Sequence, residues 1–255
     1  MVLTDTHTHF YYETEDVKRA EMLQRCLDNN ISRLFLPNVD ASSARLMFDI
    51  TAKYPDHFFP MLGLHPCDVK ADWQDDIANI KAIGAYKTIY AIGEIGIDLY
   101  WDKTFIKEQT EAFEQQIIWA KDLDLPIVIH CRDAFSEVYE ILLSHADEKL
   151  CGIFHCFSGT VEQAKKLIEL GFFLGIGGVV TYKNAGLAEV VQQLQLSNLV
   201  LETDSPYLTP VPFRGKPNES SYLKYVAEKV ADLFNVSVEE VARVTTANSK
   251  IIFGI

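Results

Sequence analysis

The sequence predicts an α/β fold of the (β/α)8 barrel class. Eight short β-branched and aromatic runs alternate with longer amphipathic stretches from one end of the 255-residue chain to the other. A barrel of this kind needs about 250 residues. Polar residues close the first, fourth, fifth, sixth and eighth runs, and in a barrel every strand's carboxyl end faces the same mouth. The rival is an open, doubly wound sheet, which gathers its site at one switch point. No G-x-G-x-x-G follows the first strand, so the usual mark of that rival is missing.

In chain order, the runs place strands at Val2–His9, Arg33–Pro37, Phe58–Leu64, Thr88–Glu94, Ile127–His130, Gly152–His155, Phe172–Gly177 and Leu199–Asp204. Helical patterns fill the intervals. From Glu108 to Leu123, Phe113, Ile117 and Ala120 recur at helical spacing with charged residues opposite. Thr160-x-x-Gln163 and Ser237-x-x-Glu240 read as capping boxes, and Gly171 as a helix stop. Neither a linker nor a composition shift divides the chain, so residues 1–255 are expected to form one domain.

Composition narrows the function. The longest apolar stretches, such as Phe172 to Val180, fall short of the roughly 18 residues a membrane span needs. The N-terminus enters a strand at once without a signal-peptide pattern. Five cysteines without a C-x-x-C pair argue against a disulfide framework or a thiolate zinc site, so the cytoplasm is the expected compartment. The balance of 23 Lys+Arg against 36 Asp+Glu gives a net charge of −13. Tight, sequence-blind duplex binding needs a basic face and is disfavoured. Bound cations could still hold a single phosphate.

Six residues at the predicted strand ends are candidate metal ligands: His7, His9, Glu94, His130, His155 and Asp204. His7 and His9 are two apart on a strand and therefore share a face. Glu94 is a carboxylate, the side chain able to bridge two cations by offsetting their repulsion. His130 and His155 close equivalent places in successive βα units. Glu202 shares the face of Asp204 but lies deeper, where a buried carboxylate needs partners, so it is expected to support the site from behind. Nitrogen and oxygen donors suit Zn, Mn, Ni or Co, or Mg with water completing its shell. Two such ions roughly 3.5–4 Å apart polarise a phosphoryl or carbonyl oxygen and acidify water, which implies hydrolysis.

The motifs DTHTH, GLHP (Gly63 to Pro66), GEIGID, PIVIHCRDA, HCFSG, ETDSPYL and RGKPNES follow one another through essentially the whole chain. In this the sequence resembles the TatD family of metal-dependent hydrolases. The resemblance implies a TIM barrel of the amidohydrolase type with two divalent ions and a 3'-5' exonuclease-like deoxyribonuclease activity. It also implies that His7, His9 and Asp204 hold one ion, His130 and His155 the other, with Glu94 as bridge and Asp204 as proton acceptor. Related amidohydrolases often bridge with a carbamylated lysine; no lysine ends a strand here, and Glu94 takes that place. The family's Asn-Glu-Pro is Asn218-Glu219-Ser220, from which a small change of loop geometry is expected. An arginine common in the family soon after GEIGID is absent; Tyr100-Trp101 follow instead.

Arg132 lies two residues beyond His130 and is the first candidate phosphate clamp, unless it pairs with Asp133. His65 could hydrogen-bond substrate or brace its loop. The Ser205–Ser220 segment holds four of the nine prolines and supplies Arg214 and Lys216 as further phosphate candidates. Tyr100, Trp101, Phe135, Phe157 and Tyr182 could stack bases of a single strand. Cys131 and Cys156 should point away from the ligands they follow. The expected function is metal-dependent cleavage of phosphodiesters, with short or single-stranded DNA as partner and no membrane. A metal-dependent carboxylic ester or amide hydrolase, such as an aminoacyl-tRNA deacylase, is the alternative. A non-catalytic metal-binding barrel is the third reading.

Overall fold

The computed structural model describes residues Met1–Ile255. Its eight parallel strands are β1 (Leu3–Asp5), β2 (Ile31–Pro37), β3 (Phe58–Met61), β4 (Ile92–Asp98), β5 (Ile127–Arg132), β6 (Gly152–Phe154), β7 (Phe172–Ile176) and β8 (Leu199–Leu201). Strands β1 to β3 form one ladder and β4 to β8 another. Bridges Leu62↔Ile92 and Thr8↔Ser205 join the two ladders at both seams. Backbone bonds Thr6 N to Leu201 O (3.0 Å) and Gly93 N to Leu62 O (2.9 Å) complete the closure. The fold is the (β/α)8 TIM barrel expected from the sequence.

The surrounding helices are α1 (Asp16–Asp28), α2 (Ala41–Lys53), α3 (Trp73–Gly84), α4 (Ile106–Asp122), α5 (Phe135–Ser144), α6 (Val161–Glu169), α7 (Leu187–Val191), α8 (Leu223–Phe234) and α9 (Val238–Phe253). On α4, Phe113, Ile117 and Ala120 are buried as their spacing predicts. Thr160 and Gln163 form the capping box of α6, and Gly171 just beyond it takes φ +88. At α9 the box is half made. Ser237 accepts from Glu240 N at 3.2 Å, but the Glu240 carboxylate pairs with Arg243 instead of turning back.

Strand side chains divide by period two. Leu34, Leu36, Ile127, Ile129, Leu199 and Leu201 face the helices. Phe35, Val128, Ile153 and Val200 fill the barrel interior together with Ile252 and Phe253 at the end of α9. The rings of Phe35 and Phe253 stack at 3.7 Å. Helix α9 is also tied to the outer strands, since Thr246 Oγ1 donates to Val2 O (2.9 Å) and Asn248 Nδ2 to Leu199 O (2.7 Å). An apolar interior plugged from this side leaves the carboxyl mouth as the place where polar side chains can enter the barrel. No helix is long and apolar enough to cross a membrane.

The Asn218-Glu219-Ser220 turn leads into a short 3-10 turn, Ser220–Tyr222, just ahead of α8. Ser220 Oγ caps nothing; it bonds Thr8 Oγ1 at 2.9 Å, and Thr8 Oγ1 in turn meets Ser205 Oγ at 2.8 Å. Asn218 Nδ2 donates to Thr203 O and Tyr207 O. Glu219 forms a two-pronged ion pair with Arg25 of α1, which holds its carboxyl below the usual range against the opposing effect of burial. Arg25→Ala should therefore cost about 1 kcal/mol at neutral pH, because the pair is half exposed. A carboxyl depressed in the fold stabilises above its unfolded value and loses that contribution as pH falls through the folded value. Denaturant titrations of wild type and variant should converge below about pH 4; a gap that persists there would exclude the pair as its source.

Candidate metal centre

Glu94 is the hub of the site, and the strand around it is not the one the sequence suggests. The expected strand Thr88–Glu94 is displaced: β4 begins at Ile92 and runs to Asp98. Glu94 therefore lies near the start of β4. The register slips there, with Gly93 opposite Val128 but Ile95 opposite Ile129. A bulge at that point turns the Glu94 side chain inward while Ile95 and Ile97 stay in the outer core. Gly96 allows the ladder to pass, since a Cβ there would sit 1.9 Å from His130 O at φ +142.

The remaining ligand candidates also shift relative to their strands. Strand β1 stops at Asp5, so His7 and His9 lie in the segment just past it. That segment is held beside the one after β8: Asp5 accepts from Thr203 N (2.9 Å) and Thr203 Oγ1 (2.6 Å), and Asp204 N donates to His7 O at 2.9 Å. Asp204, three residues past β8, takes φ +55, a left-handed conformation aspartate tolerates. His130 is within β5 rather than at its end, and His155 directly follows β6.

All six side chains meet at the mouth. Glu94 Oε2 lies 3.2 Å from His7 Nε2 and 3.7 Å from His9 Nε2. Its other oxygen, Oε1, lies 2.8 Å from His130 Nδ1, 3.4 Å from His65 Nε2 and 3.7 Å from His155 Nε2. Asp204 Oδ1 stands 3.6 Å from His9 Nε2, 3.8 Å from His155 Nε2 and 3.9 Å from His7 Nε2. One carboxylate thus faces two groups of nitrogens, one with each oxygen.

The residues fit divalent cations. His7 is wholly buried, yet neither ring nitrogen has a hydrogen-bond partner; Glu94 Oε2 is close to Nε2 but out of hydrogen-bonding alignment. An orphaned imidazole in a buried cluster of carboxylates and histidines is what an N/O metal site leaves behind. The His7 ring also stacks on His155 at 3.5 Å. Burial and the neighbouring His155 push the His7 value down. Burial opposes charge on His130 and His155 as well, but the adjacent carboxylates outweigh it and raise them to about 9 and about 10. His155 Nδ1 approaches Glu202 Oε1 to 3.0 Å, and Glu202 Oε1 also accepts from Cys156 N at 2.6 Å. Gly175 makes room for that carboxylate, as a Cβ would fall 2.2 Å from Glu202 Oε2. Glu202 is thus where the sequence places it, behind a candidate ligand.

Two further holders escaped the sequence. Tyr11 Oη bonds His9 Nδ1 at 2.8 Å, and Asp98 Oδ2 bonds His130 Nε2 at 2.9 Å. Asp98 is the polar end of the same apolar run as Glu94, four residues later, and would have been found had the strand been drawn to its true end. Burial would raise its carboxyl, but His130 and two backbone amides lower it to about 2.

A cavity of about 760 Å³ opens over the cluster, with His9, His65, Glu94, Asp98, Arg132 and Asp204 in its wall. Arg132 stacks 3.7 Å above the Tyr100 ring and 5.3 Å from Trp101, and makes no ion pair with Asp133. His65 Nδ1 accepts from Cys67 N at 3.1 Å, which leaves the proton on Nε2, the nitrogen aimed at Glu94. Arg214 and Lys216 are not in this wall. Arg214 lies 4.1 Å over Tyr182 and lines a separate hollow with Thr181 and Lys183; Lys216 is exposed beside Phe213. Of the aromatics, Phe157 is fully buried and cannot stack a base, while Phe135 is half-buried against the core and lies outside the cavity wall. Tyr100 and Trp101 are exposed. Cys131 packs against the outer core with Ile127 and Ile129, as alternation requires. Cys156 instead takes φ +47 and reaches the cavity wall beside His155, contrary to expectation.

A (β/α)8 barrel whose carboxyl mouth gathers histidines on both sides of one glutamate is the architecture of a metal-dependent hydrolase. The chain belongs to the TatD family: the family described as TatD related DNase matches residues 4–254. It is 40% identical over its whole length to the metal-dependent hydrolase YabD of Bacillus subtilis, also covered in full. It is 31% identical to the 3'-5' ssDNA/RNA exonuclease TatD of Citrobacter rodentium over 92% of this chain and 91% of that one. The crystal structure of YjjV, a TatD homologue from Escherichia coli K12, superimposes with a TM-score of 0.92 at 26% identity, covering 99% of this chain and 98% of that one.

Proposed function

We propose that this protein is a dinuclear metal phosphodiesterase that shortens single-stranded DNA from an end. The observation that carries the reading is the division of Glu94, one oxygen toward His7 and His9 and the other toward His130 and His155. His7, His9 and Asp204 would hold one cation, His130 and His155 the other, with Glu94 shared. When bound, two such ions supply Lewis-acid polarisation of a phosphoryl oxygen and bring the acidity of water near neutral pH.

The chain's own residues supply the rest. Asp204, at the cavity wall, accepts the proton of the attacking water. His65, with its proton held on Nε2, donates a hydrogen bond to the reacting phosphate. Arg132 clamps that phosphate, since its guanidinium is at the wall and free of carboxylates. Arg214, beside Lys183, and Lys216 would meet the strand farther from the reacting bond. The exonuclease name carried by the Citrobacter relative supports the substrate class, and the net charge of −13 favours a short single strand over a duplex.

The test compares a 5'-labelled single-stranded oligonucleotide with aminoacyl and simple carboxylic esters, across Mg, Mn, Co, Ni and Zn. A ladder of shortened DNA, with KM about tenfold higher for Arg132→Ala and only partly restored by lysine, is expected. Faster turnover of the carboxylic esters, with DNA left intact under every metal, would overturn the reading.

A further inference from the structure

We propose that Asp98 is a positioning residue that ties a metal-ligating histidine to the arginine at the cavity wall. Its one carboxylate oxygen fixes His130, and its other fixes the Tyr100–Trp101 turn on which Arg132 lies. The inference rests on the reading of His130 as a ligand and Arg132 as a phosphate contact.

The first half of the tie is geometric. Asp98 Oδ2 meets His130 Nε2 at 2.9 Å, while His130 Nδ1 points to Glu94 Oε1 at 2.8 Å. With Nε2 committed to Asp98, Nδ1 is the nitrogen turned to the cluster, the one that would ligate a cation there. A carboxylate behind a histidine in this way sets both the tautomer and the ring orientation, and strengthens the ligand. The second half runs through the other oxygen. Asp98 Oδ1 accepts from Tyr100 N at 2.9 Å and from Trp101 N at 3.2 Å. The two rings are 53% and 69% exposed, so core packing does not hold them. The turn is held by the carboxylate, and Arg132 stacks on it.

Asp98 is itself held in place. It is buried, and Gln109 of α4 clamps its backbone, donating to Asp98 O and accepting from Asp98 N. Asp98 is also the register partner of Arg132 across β4 and β5, and Leu99 N donates to Arg132 O at 2.9 Å. Ligand, carboxylate, aromatic turn and arginine therefore form one connected chain of contacts. The other holders differ: Tyr11 reaches only His9 among the ligands, and Glu202 passes on to the Cys156 amide. Disturbing Asp98 should loosen one cation and the phosphate clamp together.

The experiment uses metal-stripped full-length protein and Mn²⁺ titration followed by the electron paramagnetic resonance of the free ion. Wild type, Asp98→Asn, His130→Ala and the double variant are compared, with circular dichroism to establish folding. Asparagine keeps an oxygen for the Tyr100 and Trp101 amides but cannot serve both arms as a carboxylate does. Asp98→Asn is expected to weaken one Mn²⁺ site by about 10–100-fold. In the His130→Ala background it should add less than about threefold, because its effect passes through that ring; a general structural role would weaken binding equally in both backgrounds. In parallel, Asp98→Ala, which removes both arms, should raise KM for the oligonucleotide in the wild-type background but not in Arg132→Ala. If Asp98→Asn does not fold, Asp98→Glu is carried through the same cycles. Wild-type Mn²⁺ binding in Asp98→Asn, beside weakened binding in His130→Ala, overturns the tie to the metal. An equal rise in KM with and without Arg132 overturns the tie to the clamp. Unchanged binding in His130→Ala removes His130 as a ligand, and the proposal with it.

Discussion

A Glu94→Gln protein is expected to retain one divalent cation where wild type should hold two, and to lose at least about a thousandfold in kcat, roughly 4 kcal/mol of barrier. The amide is nearly isosteric but offers one oxygen instead of two. In the native site Oε2 serves His7 and His9, and Oε1 serves His130 and His155. An amide nitrogen turned to either group removes an acceptor and adds a donor where a cation must sit. Loss of the negative charge also removes what offsets repulsion between two cations, so the effect on the second ion exceeds that of a single missing ligand. Metal content after gel filtration and single-turnover hydrolysis of the labelled oligonucleotide measure the two effects separately. Two cations bound with wild-type affinity would show that Glu94 does not bridge.

Much of this site is legible from sequence because a barrel converts scattered strand ends into neighbours. His7 and Asp204 are far apart in the chain, yet a backbone bond joins them across the seam between β1 and β8. The eight-fold alternation sufficed to place every candidate ligand at one mouth, since that depends on topology and not on exact strand limits. What depends on local register was read less well. Propensity places β4 too early because Thr88 to Ile92 is mostly β-branched and aromatic, whereas the true strand carries Gly93 and Gly96, which propensity disfavours and close packing against β5 requires. That displacement hid Asp98. The substrate ring was read least well. Whether Phe157 faces a cavity or the core, or Arg214 lines one hollow or another, is set by loop conformations for which period-two reasoning gives no rule.

The arrangement also shows how an acidic chain can hold an anion. Local potential at the mouth is decided by which charges are already satisfied. Glu94 and Asp204 are engaged by histidines, Asp98 by His130 and two amides, and Glu202 by His155 and the Cys156 amide. Arg132 is the cation at that wall without a carboxylate partner. Most of the remaining acidic residues are exposed, where solvent and salt screen them over about 8–10 Å. The sum of charges disfavours a long duplex.

The second large effect concerns Asp204, and it separates proton transfer from ion binding. Asp204→Asn, assayed at saturating metal, is expected to lower kcat about a thousandfold with KM changed by less than about threefold, within the range a positioned general base contributes. The side chain of Glu94 is 4% exposed and that of Asp204 14%. Of the two carboxylates at the hub, Asp204 is therefore the one that water reaches more readily. Its backbone is fixed on both sides, by Asp204 N on His7 O and by Tyr207 N on Asp204 O, so the variant should keep the same placement. The discriminating comparison is chemical rescue. In Asp204→Ala the lost carboxylate leaves space open to the cavity, and added formate should restore part of the rate in a concentration-dependent way. Asparagine occupies that space and should resist rescue. If neither variant responds to formate, while both lose one cation in direct metal analysis, Asp204 acts as a ligand alone and the proton leaves by another route.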